Sequence, residues 1–153
     1  MDPQIELLKT CVAVENLVAD IYSHFAVRFP EESGLWKGIA AEEKGHARLF
    51  LMLNCFKHGA RIPAILPESL ALAKKALEEV NEARKKALAP ALTYEEALDI
   101  AVSLELSTIE TFLNSLIAKQ TEGELKQLLT MLINEGRNHG SVLKKALSDI
   151  KSA

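Results

Sequence analysis

Cysteine is almost absent from the chain. Cys11 and Cys55 are its only two, with no Cys-x-x-Cys and no second pair. One chain of this kind can assemble neither a disulfide framework nor a cysteine-only metal site, so a bound metal must use oxygen and nitrogen ligands. Both cysteines read as small buried hydrophobes. A long basic run is also missing. The 18 Lys and Arg are mixed among 21 Asp and Glu for a net charge of -3, which leaves no electrostatic footprint for nucleic acid. Charged residues interrupt every apolar stretch well before the ~20 residues that would span a bilayer. The N-terminal Met-Asp-Pro-Gln does not read as a signal peptide. These absences lead us to expect a cytoplasmic protein with neither a nucleic-acid nor a membrane partner.

Strand signals are lacking as well, with no sustained apolar/polar alternation and no Asn-Gly or Asp-Gly turn between such runs. What remains is helical periodicity along nearly the whole chain, which gives an all-α class. At 153 residues, 48% hydrophobic and 25% charged, the composition is that of an ordinary globular domain, and one domain spanning 1–153 is expected.

Four long helices and a crossover account for the pattern. Asp2 and Pro3 read as the N-cap and first turn of a helix that carries Leu8, Val12, Val18, Tyr22 and Phe25 and stops at Pro30. Ser33 reads as the cap of a second helix through Trp36, Ile39, Phe50 and Leu53 that ends at Gly59. The turn between them is short, so the two are antiparallel neighbours. Pro63, Pro67 and Pro90 bracket a charged crossover with one narrow apolar stripe of Leu70, Ala73, Leu77, Val80 and Ala87, expected as a surface helix. Its Glu78, Glu79 and Glu82 read as a solvated face. The capping box Thr93-Tyr94-Glu95-Glu96 opens a third bundle helix, apolar from Leu98 to Ile117 and ending near Gly123. A fourth runs from about Glu124 to Ile150.

Chemistry enters through glutamates on apolar stretches of helix. Glu15 sits among Val12, Val14, Leu17 and Val18, and Glu105 among Ala101, Val102, Leu104 and Ile109. Taken alone, each reads as a carboxylate reaching for the surface. On the second helix, in Ala40-Ala41-Glu42-Glu43-Lys44-Gly45-His46, Glu43 and His46 are three apart and share a face. By itself this pair is no more than a surface ion pair. The fourth helix repeats the theme in Asn134-Glu135-Gly136-Arg137-Asn138-His139-Gly140.

The spacing ties these fragments together. Glu15 to Glu105 and Tyr22 to Phe112 are each 90 residues apart, and Glu43 to Glu135 is 92, as in a duplicated helical hairpin. Four glutamates facing one another in a dry interior would repel strongly, and two divalent cations would balance them. Two antiparallel pairs, a long crossover and four central glutamates make the constellation of ferritin-like carboxylate proteins with a dinuclear metal centre.

Glu15-Asn-Leu-Val-Ala-Asp-Ile-Tyr22-Ser-His-Phe25-Ala26, Ala41-Glu42-Glu43-Lys44-Gly45-His46-Ala47, and Glu105 followed by Ile109, Glu110 and Phe112 resemble the helix signatures of the rubrerythrin branch of the ferritin-like superfamily. The resemblance spans nearly the whole chain. It implies a ferritin-like four-helix bundle binding two iron ions, with manganese or zinc as other divalent choices. Glu15, Glu43, His46, Glu105 and Glu135 would be ligands, and Tyr22 would act in the catalytic site by donating a hydrogen bond to a ligand carboxylate. His24 and His58 match no ligand position.

Three features depart from that pattern. Counted from Glu135, the counterpart of His46 is Asn138, with His139 one residue on; imidazole is the better iron ligand, which favours His139. Typical rubrerythrins carry an additional glutamate close to the counterpart of Glu105, and here Thr108 and Val102 occupy nearby face positions, which puts the family's peroxidase chemistry in question. No rubredoxin module is present, so electrons would come from a separate donor protein. Gly45, Gly136 and Gly140 lie inside predicted helices at ~1 kcal/mol each relative to Ala, for close helix packing or to leave room for oxygen or peroxide. The resemblance implies a dinuclear-iron oxidoreductase acting on hydrogen peroxide or dioxygen, with a homodimer expected. The alternatives are a ferroxidase that handles iron, and a metal-free bundle with a binding role.

Overall fold

Asp2 starts the first helix by accepting a 2.9 Å hydrogen bond from the Gln4 amide, with Pro3 in the first turn where its missing N–H costs nothing. The computed structural model of the chain describes residues 2–55, 67–106 and 124–153. Helix α1 spans Pro3–Arg28. Pro30 cannot continue its hydrogen-bond ladder, and the chain passes through a 3-10 turn, Pro30–Glu32, into α2, Ser33–Cys55. Ser33 is therefore not the extended cap that its position suggests. Its backbone is already helical at φ -58°, ψ -30°, and its amide bonds Pro30 O, so the 3-10 turn runs directly into the helix with Ser33 inside it.

Helix α3 covers Pro67–Ala87, α4 covers Tyr94–Glu105 and α5 covers Glu124–Lys151. The capping box at α4 forms in full: Glu96 N–H bonds Thr93 Oγ1 at 3.1 Å and Thr93 N–H bonds Glu96 Oε2 at 2.7 Å. The expected ends near Gly59 and Gly123, the continuation of the third bundle helix to Ile117, and the residues Pro63, His58, Thr108, Ile109, Glu110 and Phe112 lie outside the described residues. Among the described residues the protein is all-helical, with no strand and no helix long and apolar enough to cross a membrane.

α1 packs along α2, and α4 along α5. Both pairs are antiparallel. Phe25 near the end of α1 meets Trp36 near the start of α2 at 5.0 Å between ring centroids, while Leu7 at the opposite end of α1 shares a cluster with Phe50. In the second pair, Asp99 lies near Lys151 and Glu105 near His139. α3 runs along α1 as a surface helix that buries Ala73, Ala76, Val80 and Ala87. Its Glu78 and Glu82 are exposed and Glu79 is half-buried. The Arg28 guanidinium ties the end of α1 to the α3–α4 connection by donating to the carbonyls of Pro90 and Leu92.

The core is split. One apolar cluster gathers Val14, Val18, Tyr22, Phe25, Trp36, Ile39, Leu98, Leu104 and Leu143. The other gathers Leu7, Leu8, Cys11, Phe50, Leu129, Leu132 and Ile133. Along α1 the change from one to the other falls between Cys11 and Val14, along α2 between Ala40 and Phe50, and along α5 between Ile133 and Leu143. A polar layer occupies that boundary.

Candidate metal centre

Glu15, Glu43, His46 and His139 fill the boundary, exposed by only 6%, 4%, 5% and 3%. Helix periodicity puts them there. Glu15 follows Cys11 by one turn on the buried stripe of α1, and Glu43 and His46 occupy successive turns of the inner face of α2. Glu105 closes the layer from α4, with a side chain 7% exposed. Taking such charges out of water costs several kcal/mol each unless they are paired.

Glu43 is the centre of the arrangement. Its Oε2 lies 3.0 Å from His46 Nδ1 and its Oε1 3.0 Å from His139 Nδ1, so one carboxylate faces both imidazoles. Beyond each imidazole stands a further carboxylate: Glu15 Oε2 is 3.9 Å from His46 Nδ1, and Glu105 Oε2 is 3.8 Å from His139 Nδ1. The result is two three-residue groups that share Glu43, namely Glu15–Glu43–His46 and Glu43–Glu105–His139. Within each, one donor atom per residue lies within 4.8 Å of the others. Each group can hold a metal ion through two oxygens and one nitrogen, a donor set that suits iron, manganese or zinc.

The outer nitrogens of the two rings are matched in the same crossed fashion. His46 Nε2 on α2 contacts Glu135 Oε2 on α5, and His139 Nε2 on α5 contacts Glu42 Oε2 on α2. The rings themselves stack, 6.1 Å apart and inclined by 24°. Tyr22, wholly buried, donates a 2.7 Å hydrogen bond from its hydroxyl to Glu105 Oε1.

The electrostatics follow from this geometry. Burial and the negative charge of Glu43 push the Glu15 carboxyl well above the usual range. The same two causes push Glu105 up to about 8, the Tyr22 hydrogen bond opposing them. Burial acts on Glu43 in the same sense, but its bonds to His139 and His46 outweigh it and hold this carboxyl well below the usual range. Both imidazoles bind protons more tightly than usual, His46 up to about 11 and His139 up to about 9, because the carboxylates around them overcome the effect of burial. The Cys11 thiol is pushed up by burial and by Glu15, which fits an inert core residue. The Cys55 side chain lies outside the described residues.

The structure brings Glu15, Glu43, His46, Glu105 and His139 into one layer and sets Tyr22 against it. It turns His139 inward and leaves Asn138 exposed. Glu135 departs from its expected place as a fourth central carboxylate. Its side chain is 39% exposed and lies on the outer nitrogen of His46, and it belongs to neither three-residue group. The cause is a one-residue difference in register. His46 and His139 are 93 residues apart, and so are Glu42 and Glu135, which makes Gly136 the counterpart of Glu43. Glu42 was missed from sequence for the same reason; the crossed contacts of the two histidines identify it. His24 lies in neither group.

Of the three glycines, Gly45 has open space where a Cβ would stand. A Cβ on Gly136 would sit 3.8 Å from Glu105 Oε2, and one on Gly140 would sit 3.7 Å from Glu105 Cβ, both ordinary contacts. Close packing therefore does not force glycine at any of the three. A cavity of about 50 Å³ lies within the layer, its walls including Glu15, Glu43, His46, Glu105, Gly136 and Arg137.

Comparison with protein-family models, with curated proteins and with solved structures gave no match.

Proposed function

We propose that the chain is a ferritin-like four-helix bundle of the rubrerythrin type, and that its central layer binds two iron ions and reacts with hydrogen peroxide or dioxygen. The observation that carries this reading is Glu43, a buried carboxylate with one oxygen directed at each of two imidazoles, each of which is backed by a further buried carboxylate. Three carboxylates held almost dry are costly; without metal they are accommodated by protons on Glu15, Glu105 and the two imidazoles, the protons that bound metal ions would displace.

An iron pair would supply one-electron chemistry between ferrous and ferric states. The protein's part is positional. Glu15 with His46, and Glu105 with His139, would hold one ion each through Nδ1 of the ring, and Glu43 would join them. Glu42 and Glu135 would accept the Nε2 protons and so fix each ring with its Nδ1 lone pair inward. Tyr22 would orient Glu105. The two apolar clusters on either side would limit access of water to the layer. Electrons would come from a separate donor protein, and a homodimer is the expected assembly.

Anaerobic loading with ferrous iron followed by metal analysis and an absorption spectrum tests the reading. Two irons per chain are expected, with a spectral change on addition of peroxide or air. Less than one iron per chain would sink it. Oxidation of ferrous iron without turnover of peroxide in the presence of a reductant would shift the assignment to iron handling.

A further inference from the structure

The two halves of the central layer match residue for residue except at one place. Glu15 and Glu105 stand beside the inner nitrogens of His46 and His139, and Glu42 and Glu135 stand on the outer ones. Shifted by the 93 residues that relate the histidines, Glu43 falls on Gly136. The half built from α5 thus lacks the carboxylate that the half built from α2 directs into the middle. A glycine there leaves no side chain at all, and the cavity of about 50 Å³ lies against it. A Cβ on Gly136 would point toward Glu105, at 3.8 Å from Oε2.

Charge gives the vacancy a chemical preference. Two divalent cations in the two groups would bring four positive charges, against three from Glu15, Glu43 and Glu105. Glu42 and Glu135 are engaged with the outer ring nitrogens and are 55% and 39% exposed, so solvent screens much of their charge. One positive charge is left over inside. Glu15, Glu43, His46 and Glu105 wall the cavity together with Gly136, so the metals would share it; at ~10–15 Å³ for each water-sized group it has room for roughly three to five such groups, which leaves space beside two ions for a group of about the size of formate.

We propose that, when the layer holds its two metals, the cavity beside Gly136 binds a small carboxylate monoanion of the formate or acetate class, which takes the place of the missing central glutamate. This inference rests on the two-metal reading above. The site is then a four-carboxylate centre in which one carboxylate is exchangeable, and its metal affinity depends on what the solution offers.

Zinc titration of the chelator-stripped full-length protein tests this at constant ionic strength, with sodium acetate exchanged for sodium methanesulfonate. Acetate should tighten the second zinc on the order of tenfold. Competition of acetate for zinc in solution acts in the opposite direction and cannot mimic this result. Gly136→Glu should bind the second zinc more tightly than the parent in methanesulfonate and no longer respond to acetate. Gly136→Ala, whose Cβ meets only an ordinary contact and which favours helix, should still bind two zinc ions with a reduced acetate response. It serves if the glutamate variant loses its helical circular dichroism. Two zinc ions bound equally well in both salts would overturn the anion site and leave the two-metal reading standing. Failure to bind a second zinc in either salt would overturn both.

Discussion

The Tyr22 hydroxyl donates to Glu105 Oε1 at 2.7 Å, joining α1 to α4 across 83 residues of sequence. Both partners are buried, so neither can exchange the other for bulk water. Tyr22→Phe keeps the ring and its packing on Trp36, 5.7 Å away, and removes only the donor. The expected loss is about 1–3 kcal/mol in chemical denaturation of the metal-free protein. Metal binding should weaken at the group containing Glu105 and persist at the group containing Glu15.

Glu105→Gln should have opposite effects on the two forms. Burial and the charge of Glu43 already favour the protonated carboxyl at this position, up to about pH 8. A neutral amide therefore suits the metal-free interior, and its melting temperature should rise. Metal stoichiometry should fall from two to one per chain by elemental analysis.

pH should move the metal-free and metal-loaded proteins in different directions. His46 and His139 titrate near 11 and 9 in the fold against an ordinary 6.5, so the stability they contribute is complete below about pH 6.5 and is lost as pH rises through 9 and 11. Glu105, raised from 4.5 to about 8, and Glu15, also raised, act in the same sense at lower pH. Glu43 acts oppositely, but only in strong acid. Calorimetric melting of chelated protein should therefore decline steadily from pH 5.5 to 9.5, by roughly 2–4 °C for each kcal/mol lost. Metals displace these protons, so affinity should climb over the same range, with proton release visible as a dependence of binding heat on buffer.

The crossed outer contacts assign each exposed glutamate to the opposite half of the layer. Glu42 sits on the same helix as His46 but contacts His139, and Glu135 sits on the helix of His139 but contacts His46. Glu42→Gln should weaken the metal in the Glu105 group and Glu135→Gln the metal in the Glu15 group, each by about 10–100-fold. Stepwise cobalt titration monitored by absorption, with each variant combined with Glu105→Gln, distinguishes the two. Thermal stability should change little, since both carboxylates are substantially exposed.

Much of this was legible in the chain because local chemistry wrote it. Asp2-Pro3 and the Thr93–Glu96 box begin helices where they should, Glu15 and Glu105 stand out as charges on apolar stretches, and the repeat spacing draws Glu43 and His46 to them. Ser33 misled because a 3-10 turn ahead of it runs straight into the helix and leaves Ser33 helical. Glu135 misled for a subtler reason. α2 offers adjacent glutamates, Glu42 and Glu43, and α5 offers one, so matching glutamate to glutamate leaves the register open by a residue. One residue turns a helix by about 100°, enough to carry a carboxylate from the middle of a bundle to its rim. Periodicity cannot make that choice. The packing of His139 against Glu43 makes it.

The two three-residue groups differ in how much of the chain they need. Glu15, Glu43 and His46 all belong to α1 and α2, an unbroken antiparallel hairpin within the first 55 residues. Glu105 and His139 come from α4 and α5 and complete their group only by borrowing Glu43. On a ribosome, the first set of ligands is therefore fully synthesised before α4 and α5 are made. The second exists only once α5 has docked. The two positions have an order of assembly written into the chain's direction, with the N-terminal hairpin as the scaffold on which the other half closes.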